Sequence, residues 1–405
     1  MNRRVAITGI GVVSAIGHTR ELFWNSIRNG VCGIRPLTGI DASQFRFANA
    51  AQASCYDPAA HFDPKTLDLY DRFAQFAMLA AREALAHAGL PEIPHAIRQR
   101  TAIVTGTSIG GQNSQDTGFV DIYRLGRPRS HPMTIPRVMP NAGASALAVD
   151  LGVTGPVFTT STACASSNHA MAQALWMVRS GMVEMAVAGG SEAPFSFGFL
   201  KAWESMRVVS PDTCRPFSAD RKGLVLGEGG AIFILEPWEA AVARGARILA
   251  EFTGAGMSAD AHHVTQPSVE GPSLAIRNAL GDAGLKAEQI GYINAHGTGT
   301  QTNDATETRA IRHVFDRYAD RLPVSSTKSM HGHALGAAGA IEAAATVLAL
   351  REGLLPPTVN YTTPDPDCDL DVVPNQARPA SVEHALSNAF AFGGLNAVLA
   401  FSRVD

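Results

Sequence analysis

Val5-Ala6-Ile7-Thr8-Gly9-Ile10-Gly11 reads as a short β-branched strand that runs out into glycine. Ala250-Glu251-Phe252-Thr253-Gly254-Ala255-Gly256 repeats the pattern later in the chain. Each is followed by a helical stretch and then by a second strand ending at Gly, Val104-Thr105-Gly106 in one case and Asn294-Ala295-His296-Gly297 in the other. The third helix of each set follows a turn of small residues, one at Cys164 and one at His333. The pattern predicts a duplicated α/β unit, with a first half at 1–247 and a second at 248–405.

Further strands are expected at Thr101–Thr105, Met185–Ala188, Ala231–Leu235, Tyr292–Ala295, Leu322–Ser325 and Ala397–Phe401. Helices are expected at Arg20–Asn29, Tyr70–Ala88, Ala165–Ser180, Gly271–Ala283, Asn303–Phe315 and Gly339–Arg351. This alternation predicts parallel strands with helices on both faces.

The 405 residues carry a net charge of −3, so no general field draws nucleic acid or an anionic membrane. Only 17% are charged and 46% hydrophobic, the balance of a chain that buries a large core. Five cysteines without a CxxC pair argue against a disulfide framework and for a reducing, cytoplasmic compartment. Met1-Asn2-Arg3-Arg4 runs straight into the first strand, too short an apolar region for a signal peptide. The longest apolar stretch, Ala334 to Leu350, is interrupted by Glu342 and reads as a buried helix, not a membrane span.

Four segments carry residues suited to chemistry. Cys164 stands between small residues in Thr159-Thr160-Ser161-Thr162-Ala163-Cys164-Ala165-Ser166-Ser167, just before an amphipathic helix. A helix start favours a thiolate, and small neighbours admit a thioester, although most lone cysteines are structural. His296, in Asn294-Ala295-His296-Gly297-Thr298-Gly299-Thr300, follows a strand, where ligands bind in open α/β sheets. Thr298 and Thr300 alternate, placing both hydroxyls on one side of an extended segment. Lys328 and His333 follow the next strand, with Glu342 on the helix behind them. His331 and His333 alone make a weak metal signal, and no metal is expected. Phe390 and Phe392 lead into Gly393-Gly394, a pair that permits positive φ beside a pocket. Gly9-Ile10-Gly11-Val12-Val13-Ser14 lacks the third glycine of a dinucleotide fingerprint, and neither a P-loop nor Gly-x-Ser-x-Gly is present.

Taken in order, these segments resemble the β-ketoacyl-[acyl-carrier-protein] synthases of the thiolase superfamily, over essentially the whole chain. Arg215-Pro216-Phe217-Ser218 and Gly227-Glu228-Gly229 strengthen the resemblance, and Lys201-Ala202-Trp203-Glu204 is similar to the nodulation-type and secondary-metabolite ketosynthases. The resemblance implies a thiolase-like duplicated α-β-α-β-α five-layer fold and decarboxylative condensation in fatty-acid or polyketide elongation. It implies that Cys164 accepts the acyl group, that His296 and His333 act on the malonyl thioester, that Lys328 fixes the site with Glu342, and that Phe392 gates it. Thr298 and Thr300 would meet the phosphopantetheine arm, Ile109 and Trp203 the acyl chain, and Asp304 and Glu307 match family polar positions among the substrate-binding set. Lys65, Arg127, Arg129 and Arg207 would dock an acidic acyl carrier protein. The only cofactor-like group implied is the carrier's phosphopantetheine.

The implied partner is a second copy, with strand Met185–Ala188 near the interface, or a chain-length-controlling subunit in a heterodimer. A silent chain-length partner and a thiolase-type acyltransferase are the alternative functions. The retained Cys164, His296 and His333 speak against the first, and the lack of a second cysteine in a Gly-rich context against the second. Two departures from the family gate follow: Ala391 would stiffen the gate loop or change tunnel access, and Leu395, with the nodulation-like stretches, points to a substrate outside ordinary fatty-acid elongation.

Overall fold

A computed structural model describes residues 3–404; Met1, Asn2 and Asp405 lie outside the described residues. Ten strands form the main sheet. They are β1 (Val5–Ser14), β2 (Thr101–Gly106), β3 (Val157–Thr160), β4 (Met185–Glu192), β5 (Gly229–Pro237), β6 (Ala250–Ala259), β7 (Ile290–Asn294), β8 (Val324–Ser325), β9 (His384–Ala391) and β10 (Leu395–Ser402). Six helices matter for the layers: α1 (Arg72–His87), α2 (Ala142–Leu151), α3 (Ser166–Arg179), α4 (Glu270–Ala283), α5 (Gln301–Phe315) and α6 (Ala338–Glu352).

The strand order is β8-β7-β9-β10-β6-β1-β5-β4-β2-β3. Reading outward from the centre, β1-β5-β4-β2-β3 on one side repeats β6-β10-β9-β7-β8 on the other. The strand senses repeat as well: β1–β5 and β5–β4 are antiparallel, β4–β2 and β2–β3 parallel, and the second half does the same in the same places. Within the sheet, among the described residues, the two halves pair where Ala6 faces Glu251 and Ile7 faces Ala250. The duplication is therefore written into topology. The expectation of parallel strands is corrected in part, because the last strand of each half returns between two neighbours and runs antiparallel to both.

The glycines of the opening stretch explain how helices reach the sheet. A Cβ on Gly9 or Gly11 would sit 2.0 Å from the Ala84 carbonyl oxygen or 1.9 Å from that of Ala80, both on α1. In the second half Gly254 and Gly256 play the same part toward α4, 2.6 Å from the Ala283 nitrogen and 2.2 Å from the Ala275 oxygen. Backbone-to-backbone approach of this kind requires the missing side chain.

Three apolar cores separate five layers. One lies between the first sheet half and α1 with α2, and another between the second half and α4 with α5. The largest holds α3 and α6 between the two halves, with Met171, Leu175, Ile341 and Leu348 at its centre. Helix α6 is buried from Ala338 to Leu350, as the sequence predicted, which is why it shows no polar face. No helix among the described residues is long and apolar enough to cross a membrane.

All eight expected strands are present, while β3 and β9 were not foreseen as strands. Strand β4, expected near an interface, lies inside the sheet between β2 and β5 and is buried along its length, so it offers no free pairing edge itself. The free edge belongs to β3, where Phe158 is exposed.

Candidate active site

The Cys164 turn sits between β3 and α3. Ala163 takes φ 48°, an unfavourable value for a residue with a Cβ. Ser166 holds it there: its hydroxyl donates to the Ala163 carbonyl at 2.6 Å and accepts from the Thr162 amide at 2.9 Å. The strain lifts the sulfur to the start of α3, facing the second half of the molecule.

His333 meets it from that half. Its Nε2 lies 3.1 Å from the Cys164 Sγ, and the ring of His296 stands 5.4 Å from that of His333, nearly perpendicular. All three residues are buried. Burial and the charge of Lys328 hold both imidazoles well below the ordinary histidine range, so both are neutral near pH 7. Burial pushes the Cys164 thiol up to about 12, with Lys328 pulling the other way. This corrects the expectation that the helix start keeps the sulfur ionised: at rest it is a thiol beside a neutral base. His333 Nδ1 has no partner among the described residues, so neither ring nitrogen is committed to the proton.

Lys328 is fully buried and ion-paired with Glu342 of α6, also fully buried. Burial pushes Glu342 up to about 7 against the pull of Lys328. The Lys328 ammonium also donates to the His296 carbonyl at 2.6 Å and lies 3.4 Å from His296 Nδ1. A cation facing Nδ1 leaves that nitrogen as acceptor and places the ring proton on Nε2. His296 is thereby set as a donor.

The loop carrying His296 hangs from two buried carboxylates of α5. Glu307 accepts the amides of His296 at 2.8 Å and Gly297 at 2.7 Å, and Asp304 accepts those of Phe217 at 2.8 Å and Gly299 at 3.1 Å. Both lie beneath the loop and off the cavity wall, where they hold the loop in place. Glu342 is likewise off the cavity wall. Arg221, buried as well, clasps the carbonyls of Thr300 and Gln301.

Above the three residues lies a cavity of about 120 Å³. Its wall includes Trp203, Phe392, Thr298 and Thr300. The two threonine hydroxyls meet at 2.9 Å, on one side as expected. The Phe392 ring stacks on Trp203 at 6.2 Å, and Gly393 and Gly394 take φ of +83° and +67°. Ile109 is not on this wall; its loop lies behind, against Glu192.

Sequence reading missed Glu192 and the loop after β6. In that loop Asp260 accepts the Asn396 side chain at 2.7 Å, and Val264 accepts the Gly393 amide at 2.7 Å, tying it to the Phe392 turn. The signal lay in Asp260-Ala261-His262-His263, an acid and two histidines directly beyond a strand. Lys65, Arg127, Arg129 and Arg207 are all exposed, with Arg127 paired to Asp121. Arg72, the other cation near Lys65, is turned inward onto buried Glu228.

The donor atoms of Cys164, His296 and His333 lie within 4.8 Å of one another, a set that also suits a soft metal. The Lys328 ammonium beside His296 opposes a dication there. His331 is not part of the set; it is bonded to Thr327 and to the Gly332 carbonyl.

Comparison with known proteins decides the family. Residues 2–241 match the Beta-ketoacyl synthase N-terminal domain, and residues 249–362 the Beta-ketoacyl synthase C-terminal domain. The chain belongs to the β-ketoacyl synthase family. The synthase is 48% identical over 404 residues to nodulation protein E of Rhizobium sp. (strain N33), with all of both chains covered. It is 38% identical over 411 residues to 3-oxoacyl-[acyl-carrier-protein] synthase 2 of Staphylococcus aureus (strain COL), covering 100% of this chain and 99% of that one. Its fold superposes on the ishigamide ketosynthase/chain length factor with a TM-score of 0.94 at 38% identity over the whole of both chains. The synthase has the thiolase-like ketosynthase fold and is an acyltransferase of ketosynthase type, acting in condensation for fatty-acid or polyketide elongation.

Proposed function

We propose that the synthase joins an acyl group held on Cys164 to a malonyl unit held on an acyl carrier protein, with loss of CO2. The observation that carries this is a thiol in contact with one neutral imidazole and a second imidazole aimed at the same cavity. In the first step His333 Nε2 takes the Cys164 proton as the sulfur attacks the incoming thioester. The proton then leaves with the departing carrier thiol. The amides of Cys164 and Phe392 would steady the tetrahedral oxyanion, where one such donor is worth about 3–4 kcal/mol. In the second step the malonyl carboxylate departs as CO2 and its electron pair forms an enolate. His296 Nε2–H, fixed by Lys328, donates to the enolate oxygen. His333, its Nδ1 unbound, can present Nε2–H as well. The enolate carbon attacks the Cys164 acyl thioester, expelling the thiolate and giving the β-ketoacyl product. These steps draw on no cofactor beyond the carrier's phosphopantetheine arm, which Thr298 and Thr300 of the cavity wall would hydrogen-bond.

The partners in this reading are a carrier protein, met by Lys65, Arg127, Arg129 and Arg207, and a second subunit. The exposed edge of β3 and exposed Phe119, Tyr123, Leu125 and Ile135 offer apolar surface that a second subunit would cover. That subunit is either a second copy or a chain-length-controlling partner. Five unpaired cysteines favour a cytoplasmic setting. Likeness to nodulation protein E favours a product outside housekeeping fatty acids. Incubation with acyl- and malonyl-carrier protein tests the reading: equimolar CO2 and β-ketoacyl product are expected, and their absence overturns it.

A further inference from the structure

Glu192 ends strand β4 fully buried, and none of the steps above uses it. Its carboxylate accepts four hydrogen bonds. Oε1 takes the Thr107 hydroxyl at 2.6 Å and the Ile109 amide at 3.4 Å, while Oε2 takes the Ser108 amide at 2.6 Å and the Gly336 amide at 3.0 Å. Three of these donors lie on the loop leaving β2 in the first half. The fourth lies three residues beyond His333 in the second. A buried carboxylate that binds across the two halves without a paired cation among the described residues is costly to keep unless its donors are fixed.

The second loop needs the anchor. Leu335, between His333 and Gly336, takes φ 46°, and the next amide is the one bound to Glu192. Gly336 presses so closely on the first loop that a Cβ there would sit 2.3 Å from the Ser108 nitrogen and 2.7 Å from Glu192 Oε2. The Cys164 turn joins the same junction, since the Ser161 hydroxyl donates to the Ser108 carbonyl at 3.3 Å. Two loops, bearing Ile109 and His333, therefore meet on one side chain, and the Cys164 turn leans on the first of them.

We propose that Glu192 is a positioning residue that sets His333 against Cys164 by tying the His333 loop to the loop leaving β2. The proposal rests on the condensing reading of the site. Its chemistry is acceptor geometry. A glutamine of the same shape must turn its NH2 toward either the two amides at Oε2 or the Thr107 hydroxyl and Ile109 amide at Oε1, and an aspartate is too short to reach both loops.

The test compares full-length wild type with Glu192→Gln and Thr107→Val, using octanoyl-, dodecanoyl- and hexadecanoyl-carrier protein with malonyl-carrier protein. A small misplacement of His333 is expected to lower kcat of Glu192→Gln about 100-fold while KM for malonyl-carrier protein stays within about threefold. Thr107→Val, which removes one donor to the same carboxylate, is expected to lower kcat about tenfold with KM likewise unmoved. Thr107→Val, which removes one donor from the far side, is the milder change and keeps the test decisive if Glu192→Gln folds poorly. Unchanged kcat in a folded Glu192→Gln or a folded Thr107→Val would overturn the proposal. A wild type that makes no β-ketoacyl product defeats the condensing reading itself, whereas a condensing wild type beside unaffected variants defeats only the role of Glu192.

Discussion

His333 Nε2 lies 3.1 Å from the Cys164 sulfur, and each residue comes from a different half of a duplicated fold. Neither half holds the site alone. The pairing exists because α3 and α6 pack together in the central layer and bring their preceding turns face to face.

The resting proton on that sulfur has a pH signature. A thiol pushed up to about 12 keeps its proton to higher pH than a free cysteine. The thiolate fraction of Cys164 therefore grows about tenfold per pH unit across pH 7–10. Iodoacetamide alkylation of Cys164, followed by mass spectrometry, is expected to rise through that range without levelling. A plateau below pH 8 would show that the sulfur is already ionised.

Lys328 and Glu342 form an ion pair with no exposed side-chain surface. Removing one partner of such a pair leaves an uncompensated charge and costs about 3–5 kcal/mol. Lys328→Met is expected to lose stability on that scale in urea unfolding, and Lys328→Met with Glu342→Leu to recover part of it. A single variant within 1 kcal/mol of wild type would be at odds with a buried charge pair.

Glu307 is expected to act through His296. Glu307→Gln leaves the His296 or Gly297 amide facing an NH2 group, at about 1–3 kcal/mol. Condensation should slow by about tenfold or more, while Cys164 alkylation at pH 8 stays near wild type, because the nucleophile sits on another loop. Equal losses in both assays would place Glu307 in general folding.

The glycines of the opening stretch and its repeat should fail alike. Gly11→Ala and Gly256→Ala drive a methyl into the backbone of α1 and α4, and each is expected to cost about 1–3 kcal/mol or more. Gly281→Ala on α4 meets nothing within 4 Å and should gain about 0.5–1 kcal/mol. Thermal melting separates the three. Harmless Gly11→Ala would contradict the close helix–sheet approach.

The sequence made much of this legible because apolar period and glycine placement survive in both halves. The Cys164, His296 and His333 turns each follow a strand or open a helix, so chemistry and local structure pointed the same way. Strand β9 was hidden because Ser387 and Asn388 break its apolar run; Asn388 is tolerated inside because its amide donates to Glu307. Strand β3 is short, threonine-rich and only partly covered, and read as the lead-in to the cysteine turn. The antiparallel returns of β5 and β10 depend on long-range pairing that no local signal records. Glu192 lies four residues past the expected strand end at Ala188, and only the folded chain brings Gly336 to it. The ionisation of Cys164 was misjudged because a helix start is visible in sequence whereas burial by the opposite half is not.

Intact-protein mass spectrometry of the synthase with acyl-carrier protein and carboxyl-labelled malonyl-carrier protein reaches the central claim most directly. The account predicts one acyl group on Cys164, discharged as labelled CO2 and β-ketoacyl product appear in equal amounts, with no adduct and no product from Cys164→Ala. Acyl loading that survives Cys164→Ala, or product formed without release of labelled CO2, would contradict it.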